Sequence, residues 1–118
     1  MDVQVKYTTI IVKDMEKSIQ FYSDVLGFKV DSEYHPQPET CITLMKGKSD
    51  IFIELIENKK YEAGLYSVGL DVKNLKDTLE ELKSGGAKIT MEPVPTLVGS
   101  LAFTEDPNGV RIALIEHH

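Results

Sequence analysis

Apolar positions along the chain change their spacing in one order, and then do so again. "VKYTTIIV", residues 5–12, is rich in β-branched residues and predicts a strand. From Met15 the spacing becomes helical: Met15, Ile19, Tyr22 and Leu26 fall at i, i+4, i+7 and i+11, one buried face, with Phe21 also read as core. Asp14 precedes them as an N-cap and Gly27 follows as a left-handed stop. Three further strands are predicted at residues 28–34, 41–46 and 51–57, giving βαβββ.

Polar residues 58–64, "NKKYEAG", read as a connector, after which the order repeats. A strand is predicted over 67–72, then a helix capped by Asn74 with Leu75, Leu79 and Leu82 on its buried face. Gly85 and Gly86 end that helix, and strands follow at 88–92, 101–104 and 110–116. "EDPNGV" reads as a turn, Pro107 presetting φ and Asn108-Gly109 tolerating positive φ. The Pro-bearing stretches 35–40 and 92–99 are predicted as loops.

The recurrence extends to residue type. Val12-Lys13-Asp14-Met15 returns as Val72-Lys73-Asn74-Leu75, Gly27-Phe28-Lys29-Val30 as Gly86-Ala87-Lys88-Ile89, and "DIFIELIE" as "GVRIALIE". A repeat of this length is one folding unit copied, whose copies must bury their apolar faces. The chain is therefore expected to be one α+β domain, 1–118, made of repeats at about 1–58 and 65–118.

Composition narrows the partners. A net charge of −6 argues against nucleic acid, which needs a basic face. No apolar run is long enough to span a bilayer, and the first residues lack the pattern of a signal peptide, so a cytoplasmic protein with no membrane partner is expected. Cys41 is the only cysteine and reads as a buried thiol in "CITLM". His35 is the one histidine away from the end; His117 and His118 read equally as native residues or as the remnant of a tag.

The chemistry concentrates on one position. Glu54 interrupts the apolar run "IFIELI", where an ionised carboxylate costs several kcal/mol unless it is paired, hydrogen-bonded or metal-bound. Its repeat partner is Ala113, and the first strands supply a second equivalent pair, Tyr7 and Ser67. The two-residue period adds Thr9, Phe52 and Gly69 to the same faces. For Phe52 and Phe103 ordinary core packing is the competing reading, and the facing of Phe103 is left open. Tyr7 would line a pocket with its ring, and Gly69 opposite Thr9 would leave room for a ligand. Arg111, the only arginine, shares a face with Ala113 and reads either as an anion clamp or as a rim residue bridged to Glu54 or Asp71.

"YTTIIVKDMEKSIQFYSDVLGFKV", "IFIELIE" and "FTEDPNGVRIALIE" resemble the signature segments of the vicinal oxygen chelate superfamily, which includes glyoxalase I, bleomycin-resistance proteins and extradiol dioxygenases. The resemblance covers nearly the whole chain. It implies two βαβββ modules forming a curved mixed sheet with an open cleft, and a homodimer. It also implies that metal ligands, where the family has them, stand at Tyr7, Glu54, Ser67 and Ala113. The family's metal enzymes usually carry His, Glu or Gln, His and Glu there, so only Glu54 matches. A catalytic divalent metal takes about three strong protein ligands.

Two functions of different class follow. The first is a small-molecule-binding protein of the bleomycin-resistance type, with no cofactor and no metal ligands expected. It would hold a small organic ligand in the inter-module cleft through Tyr7, Thr9, Phe52, Glu54, Ser67, Gly69, Phe103, Arg111 and Ala113. The second, disfavoured by the ligand count, is a metal-dependent glyoxalase I-like lyase or isomerase acting on a glutathione hemithioacetal or similar thiol adduct. A metal-free enzyme with Glu54 as base and Tyr7 as acid is a third arrangement that nothing in the spacing establishes.

Overall fold

The computed structural model describes residues 1–118 as two modules with the same element order. The first runs β1 (Val3–Val12), α1 (Met15–Gln20), a π-helical turn (Phe21–Val25), β2 (Lys29–Gln37), β3 (Thr40–Lys46) and β4 (Phe52–Glu57). The second runs β5 (Gly64–Val72), α2 (Leu75–Ser84), β6 (Ile89–Pro95), β7 (Gly99–Glu105) and β8 (Arg111–His117). Neither helix is long and apolar enough to cross a membrane.

Strand order is β2-β3-β4-β1 in the first module and β5-β8-β7-β6 in the second. In each, the opening strand pairs in parallel with the closing one, and the other pairs are antiparallel. These contacts divide the chain into two units, Tyr7–Tyr66 and Ser67–His118, the second also holding Met1–Lys6. Lys73 Nζ meets Asp2 Oδ2 at 2.9 Å within that second unit.

Each helix covers one face of its own strands. In the first module Val12, Met15, Met45 and Leu55 are buried together, with Ile10, Ile19, Tyr22 and Phe28 packed around them. In the second, Val72, Leu75, Leu79, Ala102 and Leu114 form the equivalent cluster. Because strand side chains alternate, Thr9, Glu54, Gly69 and Ala113 lie on the faces turned away from the helices.

Both helices start under the same double lock. Asp14 and Asn74 accept from the backbone N–H groups of Lys17 and Asp77, each at 3.0 Å. The last-strand glutamates supply the second half: Glu57 Oε2 accepts from the N–H of Met15 at 2.9 Å, and Glu116 Oε1 from that of Leu75 at 2.7 Å. Each carboxylate satisfies an orphan donor and sits at the positive end of its helix.

The helix exits differ. From Asp14 to Gly27 the chain is one residue longer than from Asn74 to Gly86, and the π-helical turn absorbs the difference. The N–H of Leu26 reaches back to the carbonyl of Phe21, five residues earlier, at 3.2 Å. The wider turn shifts the phase of Leu26, while Phe21 lies off the Met15-Ile19-Tyr22 stripe; both were expected in the core and each is 50% exposed. Phe28 and Tyr22 fill that place, their rings meeting edge-on at 6.1 Å. Gly27 and Gly86, at φ +81° and +89°, then stop the two helices in the left-handed region.

The two predicted loops are shorter than expected. β2 continues through His35, Pro36 and Gln37, and β6 through Pro93, Val94 and Pro95. Both strands end the strand order, where a proline costs no ladder bond, and both carry register shifts. "EDPNGV" turns as expected, but the Asp106 carboxylate organises it by accepting from the N–H groups of Asn108 and Val110, each at 2.8 Å.

Replacing Glu57 or Glu116 by alanine should each lower unfolding stability by about 1 kcal/mol, the usual cost of an N-terminal cap. Chemical denaturation of the single variants measures it. Two near-neutral variants would show that water replaces these carboxylates without loss.

Candidate functional site

In the first module the register of three strands builds rows on the face away from α1. Thr9 on β1 pairs with Glu54 on β4, which pairs with Leu44 on β3. The adjacent row on that face is Tyr7, Phe52 and Lys46. Thr9 is buried, while Tyr7, Phe52 and Glu54 are partly buried.

Glu54 is held by two hydroxyls. Thr9 Oγ1 donates to Glu54 Oε1 at 2.6 Å, and the phenol of Tyr34, from the edge strand β2, also donates to the carboxylate. Burial raises the pKa of Glu54 from the ordinary carboxylate value, and the Thr9 and Tyr34 bonds, which favour the ionised form, draw it partly back. Tyr34 is pushed up to about 12 by burial, by the Glu54 charge and by the bond to it. It therefore stays protonated and remains a donor at neutral pH.

The second module carries different chemistry at the equivalent positions. Gly69 pairs with Ala113, and Ala113 with Phe103, so the row that reads Thr9, Glu54 and Leu44 in one copy reads Gly69, Ala113 and Phe103 in the other. This places Phe103 on the same face as Ala113. Ser67 and Ala113 are buried, Gly69 is buried, and Phe103 is partly buried. Arg111 pairs with Glu105 across β7 and β8 and is exposed. Asp71 lies 3.2 Å from His117 Nδ1.

Tyr34 escaped the reading from sequence. The repeat gives it no matching phenol, and register shifts on either side of it hide its row from simple alternation. The capping glutamates Glu57 and Glu116 were missed as well, although their recurrence in "LIE" at both module ends was a usable signal. His35, next to Tyr34, is exposed. Cys41 is partly buried, and burial, then the charges of Glu57 and Glu33, push its thiol pKa up, against thiolate chemistry.

The four positions where the resemblance places metal ligands hold a phenol, a carboxylate, a hydroxyl and a methyl group: Tyr7, Glu54, Ser67 and Ala113. A neutral phenol, with an ordinary pKa of about 10, is a poor ligand for a divalent ion, and an aliphatic hydroxyl is weaker. No three His, Cys, Asp or Glu side chains gather into a group able to hold a metal ion. This donor set does not suit a catalytic divalent metal.

The profile of the Glyoxalase/Bleomycin resistance protein/Dioxygenase superfamily matches residues 4–114, and the chain belongs to that family. Among individual proteins, the probable lactoylglutathione lyase of Synechocystis is 33% identical, over 93% of this chain and 92% of its own length. The lactoylglutathione lyase of Haemophilus influenzae is 32% identical, over 98% and 93%. The crystal structure of methylmalonyl-CoA epimerase from Mycobacterium tuberculosis superposes with a TM-score of 0.83 over 97% of this chain and 87% of that one. At 21% identity, that likeness speaks for the fold alone.

The sign of the Glu54 shift gives a stability test. Its pKa is higher in the folded chain than in the unfolded one, so its contribution is fully present below the ordinary carboxylate pKa and is lost as pH rises through the raised value. Above that raised value the ionised group weakens the fold. The melting temperature of Glu54→Gln relative to the parent chain should therefore rise as pH increases through neutrality. The rise should be absent below about pH 4, where both states bind the proton. A relative melting temperature that falls as pH increases would show that the Thr9 and Tyr34 bonds outweigh the cost of burial.

Proposed function

We propose that this protein is a small-molecule-binding member of its family that works without a catalytic metal, with Glu54 as the polar anchor of its site. One observation carries the reading. Of the four positions where the resemblance places metal ligands, only Glu54 offers a carboxylate, and that carboxylate is engaged by Thr9 and Tyr34. Two hydroxyls holding a carboxylate in place pre-organise it for recognition, since its orientation needs no ordering when a ligand arrives. Tyr7, Phe52 and Tyr34 add aromatic surface beside it, the usual make-up of a site with few polar groups and an apolar wall. The resemblance supports a homodimer and a cytoplasmic setting as part of this proposal.

A second reading has its own support. The relatives at 32–33% identity, aligned over most of both chains, are named lactoylglutathione lyase. On that reading this chain would isomerise a glutathione hemithioacetal beside a metal ion. Loss of three ligands at the family positions weighs against it, because one carboxylate does not hold a catalytic ion.

Elemental analysis of untagged protein, joined to an assay with the hemithioacetal of methylglyoxal and glutathione, separates the two. The expected outcome is substoichiometric metal and no turnover, with or without added zinc, nickel, iron or manganese. A stoichiometric ion with turnover would overturn the proposal in favour of the lyase.

A further inference from the structure

We infer that the Glu54 site takes a ligand carrying a protonated amine or another organic cation set on an apolar body. The inference rests on the binding-protein reading and names the chemical class of its ligand.

A carboxylate only accepts hydrogen bonds, and its two oxygens have about four lone-pair directions. Thr9 and Tyr34 use two of them, and both are neutral hydroxyls that satisfy geometry without cancelling charge. A group completing the set must donate, and a cationic donor also offsets the cost of holding the charge away from water. A ligand carboxylate or phosphate would instead meet a like charge.

The surroundings point the same way. Glu54 shares its strand face with Tyr7 and Phe52, and Tyr34 reaches it from β2, so three aromatic residues accompany one carboxylate. Aromatic faces attract cations. This face already holds one such contact: Lys46 Nζ stands 5.8 Å from the centre of the Phe52 ring while pairing with Asp50 at 3.7 Å. The net charge of −6 favours approach of cations over anions. The equivalent row of the other module, Gly69, Ala113 and Phe103, has no charge, so the carboxylate is a property of one copy only.

Nuclear magnetic resonance titrations of the full chain at pH 7 with benzylammonium, benzyl alcohol and benzoate test the inference, since the three probes share an apolar body and differ in charge. Benzylammonium should bind at least about tenfold more tightly than either of the others. It should move the carboxyl carbon resonance of Glu54 and the amide signals of Thr9 and Tyr34. Glu54→Gln, verified as folded by its melting curve, should lose that preference. Glu54-dependent binding of benzyl alcohol or benzoate as tight as that of benzylammonium would overturn the cation assignment and leave the binding-protein reading standing. Binding of none of the three would also overturn it. A stoichiometric metal that shifts the Glu54 carboxyl carbon would overturn both.

Discussion

The parallel pairing of the first and last strands in each module is the constraint on which the other features depend. That ladder sets Thr9 beside Glu54 and Gly69 beside Ala113. It also brings the ends of β4 and β8 under the helix starts, where Glu57 and Glu116 accept the N–H groups of Met15 and Leu75. A slip of one residue would turn every side chain of a strand to the opposite face. The carboxylate caps oppose such a slip, because each joins one strand position to one helix position. Packing of Leu55 and Met45 under α1, and of Leu114 and Ala102 under α2, reinforces the same register.

With the register held, the two copies differ where they are free to differ. The helix-facing clusters are apolar in both copies, and the charges that share those faces, Glu57 and Glu116, are paired with helix N–H groups. On the opposite faces one copy carries Glu54, supported by Thr9 and Tyr34, and the other carries Ala113 beside Gly69. A duplicated scaffold thus holds an unsymmetrical set of groups. Membership of the family accounts for the scaffold, and over it this chain places a carboxylate at Glu54 and a methyl group at its counterpart, Ala113.

Much of the fold was legible because its signals are local. Period-two strands, a 3.6-residue apolar stripe, Asp14 and Asn74 before helices and Gly27 and Gly86 after them all act within a few residues. The misses came where a non-local or accumulated effect took over. Leu26 matched the apolar stripe but left the core, since a π-helical turn alters the phase without altering residue type. Pro36 and Pro95 read as loop residues, yet an edge strand tolerates them. At the site, the repeat located Glu54 and alternation located Thr9. Tyr34 comes from a strand whose shifted register no counting of residues foresees.

The extra residue between Asp14 and Gly27 has a consequence for how such a chain tolerates change in length. In a regular strand an insertion of one inverts the later positions unless a bulge takes it up, so an added residue in an unbulged β4 would exchange Glu54 with Leu55. A helix end has no such parity. There the surplus is stored as a wider turn and a few exposed apolar side chains, and the strands beyond it keep their phase. The segments between the opening strand and the edge strand thus act as reservoirs of length, and the two copies differ there by one residue without disturbing the face that holds the carboxylate.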